Sequence, residues 1–129
     1  MQYWRRQLGG ELPVLELPTK GPRPRLQTFN GASLPIDMDL GLTEKLSRMG
    51  HEQDTTLFTV VLASFMVLLY RYSGQPDQIV GIPIANRNRA EIEPLIGFFV
   101  NMLARRMELS GQLSFTELVA RAREVTLGA

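Results

Sequence analysis

Residues 57–70, LFTVVLASFMVLLY, restrict the fold more than any other stretch. They run for 14 residues with only Thr59 and Ser64 as polar interruptions. A membrane span needs about 20 apolar residues, so the run reads as a core helix. It is apolar nearly all round, which predicts burial on most of its sides. Asp54 or Thr55 stands where a helix N-cap is needed, and Gly74 where a left-handed residue would end the helix. The rest of the chain must cover this helix. With 129 residues, 44% of them apolar, there is material for one domain or a piece of one.

The other elements follow from local pattern. Residues 3–8 predict a short helix stopped by Gly9 and Gly10. Residues 13–24, PVLELPTKGPRP, hold four prolines and a glycine. Proline removes donors and fixes φ, so this segment predicts an extended connector rather than a ladder strand. In residues 32–40, Leu34, Ile36, Met38 and Leu40 alternate with Ser33, Pro35, Asp37 and Asp39. Period two predicts a half-buried strand, and Pro35 puts it at an edge. Leu42, Leu46 and Met49 share a helical face that Gly50 is expected to end. Residues 78–86 are rich in β-branched side chains and predict a strand; residues 86–94 predict a polar loop.

Residues 96–106, IGFFVNMLARR, predict a strand apolar on both faces, hence central in a covered sheet. Phe98, Val100 and Met102 would lie on one side, Phe99 and Leu103 on the other. Asn101 in its middle raises a problem, because an unpaired buried amide costs about 1–3 kcal/mol. Last, Ser114 and Glu117 form a capping box before the apolar stripe Phe115, Leu118, Val119, Ala122 and Val125. The order is α-β-α-α-β-β-α, with no internal repeat, and predicts an α/β fold in which a mixed sheet is layered with helices.

Self-contained chemistry is sparse. The sequence holds no GxGxxG, GxxxxGK[ST], HExxH or GxSxG. It has no cysteine, which excludes disulfides and thiolate metal sites and is compatible with a reducing cytoplasm. Its one histidine, His51, sits beside Glu52 and Asp54 and reads as a solvated residue between two helices rather than a general base. Asp37 and Asp39 share a strand face, but alternating acids most often form a wet face. A net charge of +1, from 14 basic and 13 acidic residues, gives no argument for nucleic acid or an anionic membrane. Arg87, Arg89, Arg105 and Arg106 read as surface charges paired with acids such as Glu91 and Glu93. Arg105 and Arg106 project to opposite strand faces. Residues 1–10 lack the apolar stretch of a signal peptide, and a cytoplasmic location is expected.

Several stretches together resemble the condensation domains of nonribosomal peptide synthetases, which have the chloramphenicol acetyltransferase-like fold. Tyr3, Trp4 and Leu8 look like that family's "YW…L" helix after the junction between its lobes. LELPTKGPRP, residues 15–24, is similar to its "LxLPTDxPRP" connector. Residues 96–106 match its motif IGxFVNTLxxR at Ile96, Gly97, Phe99, Val100, Asn101, Leu103 and Arg106, with Met102 where threonine is usual. The resemblance covers nearly the whole chain, with the matches in family order.

This resemblance implies a two-lobed parent, about three times longer, with a tunnel between the lobes. Substrates enter on phosphopantetheine arms of peptidyl carrier domains, and a downstream amine attacks an upstream thioester to form an amide. Residues 1–25 would be the N-terminal helix and Pro-rich connector, and residues 26–129 the first part of the C-terminal lobe. Gly97, Phe99, Asn101 and Arg106 would support the tunnel or the lobe interface. The family's HHxxxDG motif belongs to the first lobe and is absent here, as is HQDxPFE, so no catalytic residue is assigned and the chain alone is expected to be inactive. No metal or cofactor is expected in this chain; phosphopantetheine would sit on the partner carrier. The expected partners are carrier domains, the N-terminal lobe and a second copy of the chain. Alternative readings are a non-catalytic docking module, or a fragment of an epimerisation, cyclisation or acyltransferase relative.

Overall fold

The computed structural model describes residues 2–22 and 24–128. Its elements are α1 (Gln2–Gln7), α2 (Leu40–Glu52), α3 (Leu57–Ser73), β1 (Asp77–Ile84), a single 3-10 turn (Ala90–Ile92), β2 (Asn101–Glu108) and α4 (Phe115–Leu127). The architecture is the expected mixed α/β layering, with a smaller sheet. β1 and β2 pair antiparallel as its two strands, with Val80 opposite Arg105 and Ile82 opposite Leu103.

Between α1 and α2 the described residues form neither helix nor strand. For the proline-rich connector this is as expected. For residues 32–40 it corrects the predicted edge strand. Leu34 and Ile36 are 85% and 84% exposed, so the alternating pattern has no face to bury. Period two makes a strand only where another strand receives its hydrogen bonds, and Pro35 lowers its capacity to donate them. Asp39 instead serves α2 as N-cap, its Oδ2 accepting from the Leu42 N–H at 3.1 Å.

Gly50 does not end α2; the helix runs through it to Glu52. Its role is space. A Cβ there would stand 3.2 Å from the Thr56 carbonyl carbon and 3.3 Å from Thr55 O, in the turn to α3. That turn carries Asp54 at φ 51° and a Thr55 N–H to Gly50 O bond of 2.8 Å. Thr56, rather than Asp54 or Thr55, caps α3 through its hydroxyl. Gly74 ends α3 in the left-handed conformation, as expected.

The core lies between α3, α4 and one face of the β1–β2 ribbon. Val60, Ala63 and Met66 from α3 meet Leu118, Val119 and Ala122 from α4, with Met107 and Leu109 beneath. α4 starts at the capping box: Ser114 Oγ accepts from the Glu117 N–H, and Glu117 Oε2 accepts from the Ser114 N–H. α3 is not enclosed on most sides, however. Phe58, Val61, Phe65, Leu68 and Tyr72 are exposed along its outer face.

Candidate functional site

The motif residues 96–106 span a loop end and a strand. β2 begins only at Asn101, and Ile96, Phe98 and Val100 before it are exposed. The strand expected to be central in a covered sheet is therefore half of a two-stranded ribbon. Asn101 is exposed too, and its Oδ1 accepts from the neighbouring Met102 N–H at 2.8 Å. The buried-amide problem does not arise within these residues, because this end of β2 is in solvent.

Gly97 and Phe99 belong to a loop organised by Arg87. The Arg87 guanidinium lies 4.3 Å over the centre of the Phe99 ring. It also donates to the carbonyls of Ile92, Glu93 and Leu95, the last two at 2.9 Å. A planar cation with five donors can stack and bridge several carbonyls at once. A Cβ on Gly97 would stand 3.1 Å from Phe99 Cε2. Pairing of Arg87 with the Glu91 and Glu93 carboxylates is thus corrected: the guanidinium binds backbone carbonyls beside them.

Arg106, at the far end of β2, faces away from the core. Its Nε and Nη2 hold Asp77 in a fork, with the shortest contact at 2.7 Å. Nη1 donates to the carbonyls of Gln7 and Gly9, and Nη2 reaches Glu11 O at 3.4 Å. Gln7 Nε2 donates back to Arg106 O at 3.1 Å. The hydrogen bond from Arg106 to Asp77 raises the Arg106 pKa, keeping the fork charged. Among the described residues the ion pairs are Arg106–Asp77 and Arg123–Asp54, so none of Arg89, Arg105 and Arg106 pairs with Glu91 or Glu93. Arg105 is instead 5% exposed on the core face of β2. Its opposite orientation from Arg106 is as expected.

The four motif residues therefore do not converge. Asn101 and Arg106 are five residues apart on a strand, roughly 17 Å, and lie on opposite faces. Asn101, Met102, Leu103 and Ala104 do line a groove with Trp4 and Leu8, at the N-terminal helix. Local patterns carry no sign of that groove or of Asp77 and Gln7 as partners, since those contacts depend on tertiary approach, nor of Arg87, whose contacts depend on the path of its loop. His51 is exposed near the end of α2, and Asp37 is exposed in the connector. No group of three His, Asp or Glu among the described residues is placed to hold a metal ion. No single described helix is long and apolar enough to cross a membrane.

A family model, "Condensation domain", matches residues 1–129. The chain belongs to the condensation-domain family. It is 51% identical over 129 residues to one of the linear gramicidin synthase proteins of Brevibacillus parabrevis, covering all of this chain and 2% of that protein. Among solved structures, the X-domain from teicoplanin biosynthesis superposes with a TM-score of 0.88 at 26% identity. That match covers 98% of this chain and 29% of that one. A four-domain nonribosomal peptide synthetase bound to AMP and glycine gives a TM-score of 0.86 at 27% identity, over 98% of this chain and 10% of that one. The chain thus has part of the acyltransferase-like condensation fold and spans a small fraction of the relatives it matches.

Proposed function

We propose that these residues are the first part of the C-terminal lobe of a condensation domain that forms amide bonds in nonribosomal peptide synthesis. Residues 1–25 supply the helix and connector leading into the lobe, and residues 26–129 the partial lobe itself. The parent works in the cytoplasm with peptidyl carrier domains, whose phosphopantetheine arms present the substrates as thioesters. A carrier-bound amine attacks the thioester carbonyl; the C–N bond forms and the C–S bond breaks. Proton transfer is assigned to the HHxxxDG histidine of the other lobe, while this part shapes the path. The observation that carries the reading is the motif segment 96–106, whose exposed Asn101 end forms a groove with Trp4 and Leu8. Open apolar residues beside a groove suit a surface that another lobe completes.

In this role Gly97 and Phe99 set the loop, Asn101 lines the path, and Arg106 supports the lobe from the opposite face. Positioning of two tethered substrates contributes to acyl transfer without a reacting side chain here. The test uses the intact parent domain with two carrier-bound aminoacyl thioesters and measures amide product. Asn101→Ala is expected to lower the rate. In the 129-residue chain the same change should shift stability by less than about 0.5 kcal/mol, as for an exposed side chain. Absence of amide product from the unmodified parent would overturn the reading.

A further inference from the structure

We infer that Arg106 and Gln75 form a two-point clasp on residues 7–16 and thereby hold α1, with Trp4, over the Asn101 end of β2.

The first clasp is the Arg106 fork. An arginine carries five N–H donors, one on Nε and two on each terminal nitrogen. Here all have acceptors: Asp77 anchors Nε and Nη2, while the carbonyls of Gln7, Gly9 and Glu11 take the rest. Asp77 fixes the guanidinium to β1, so the fork ties the exit from α1 to both strands. Three backbone carbonyls bound by one side chain fix a path rather than a single contact.

The second clasp is the Gln75 carboxamide, just before β1. Its Nε2 donates to Val14 O at 2.9 Å, and its Oε1 accepts from the Glu16 N–H at 2.8 Å. The two bonds flank Leu15 as a neighbouring parallel strand would. Pro13 and Pro18 limit true ladder pairing here, and a side-chain amide supplies one bridge where a strand cannot continue.

The two clasps share one short segment, so closing one raises the effective concentration of the other. Trp4, upstream of both, and Leu8, between the Gln7 and Gly9 carbonyls of the first clasp, line the groove with residues 101–104. Six-residue helices are marginal in isolation, so the position of α1 depends on what holds its exit. Arg106 and Gln75 are therefore positioning residues: they act on the groove through residues 7–16 rather than by lining it.

Trp4 is the chain's one tryptophan, which makes its emission a direct readout. The experiment compares the 129-residue chain with Gln75→Ala and Arg106→Lys by Trp4 emission, acrylamide quenching and far-UV circular dichroism. Gln75→Ala removes a clasp remote from Trp4. Arg106→Lys keeps a cation beside Asp77 but loses the fork. Both are expected to shift Trp4 emission to the red and raise its quenching constant about two-fold, with far-UV dichroism unchanged. An unchanged Trp4 signal in Gln75→Ala would overturn the clasp. So would a change that appears only in step with loss of helical dichroism in both variants, since that reports general unfolding.

Discussion

Glu117 shows how far a single side chain can be read from sequence. One carboxylate oxygen accepts from both the Ser114 hydroxyl and its backbone N–H, each at 2.7 Å. These hydrogen bonds lower the Glu117 pKa below its ordinary 4.5, with the Ser114 hydroxyl the larger cause. A carboxyl depressed on folding adds stability above its unfolded pKa and loses it as pH falls through the folded value. The Tm advantage over Glu117→Gln should hold at about pH 6 and shrink steadily below about pH 4.5. An advantage independent of pH across that range would remove the charged carboxylate from the cap. This pairing was legible because it is local, two residues three apart on one turn. Asn101 was not, because a neighbour-based reading made residues 96–106 one buried strand. Its solvent exposure depends on where the second strand starts.

At the scale of elements, α3 and its C-cap were legible from periodicity and Gly74, but Gly50 was misread. A glycine after a helical stripe ordinarily signals a stop. Here it admits the backbone of the next turn, and only the 105° turn from α2 into α3 reveals that need. Two effects oppose each other in Gly50→Ala. Helix propensity favours alanine by about 1 kcal/mol. The new methyl, however, meets backbone atoms at 3.2 and 3.3 Å, and these are held by the turn's own hydrogen bond. Overpacking of this sort costs about 1–3 kcal/mol, so the net change is expected to destabilise by about 1 kcal/mol. A lower urea midpoint with an unchanged m-value would be its signature. A higher midpoint would mean the turn yields freely. The missing strand at residues 32–40 failed for a related reason: alternation describes a face, and a partner strand must exist to bury it.

For the whole molecule, the outer face of α3 is the apolar surface from which self-association is expected. Phe58, Val61, Phe65, Leu68 and Tyr72 recur at three- and four-residue spacing and are between 40% and 64% exposed. That is the spacing of a helix–helix seam. With the open edges of a two-stranded ribbon, it gives the chain two ways to pair with itself. The 129-residue chain is expected to show a mass above monomer by light scattering, falling on dilution. Phe65→Arg with Leu68→Arg should bring it to monomer while keeping its helical dichroism, since neither side chain belongs to the core. A monomer at every concentration for the unmodified chain would show that the seam does not self-associate.

Local chemistry in the sequence determined where the main helices lie, the capping box of α4, the left-handed stop of α3, the β1–β2 stretches in outline, and membership of a family through a motif in order. These depend on neighbours within a turn or on side-chain pattern, which the chain carries itself. Tertiary structure alone decided that Arg106 binds the backbone of residues 7–11, that Arg87 orders the motif loop, that Gly50 is a spacing residue, and that β2 starts at Asn101. The Arg106 contacts join segments distant in sequence, while those of Arg87 and Gly50 depend on the path a nearby loop or turn takes and the start of β2 on its partner strand. A one-dimensional pattern records a residue's preference for burial, charge or turn, but the available partner is set by how the segments meet.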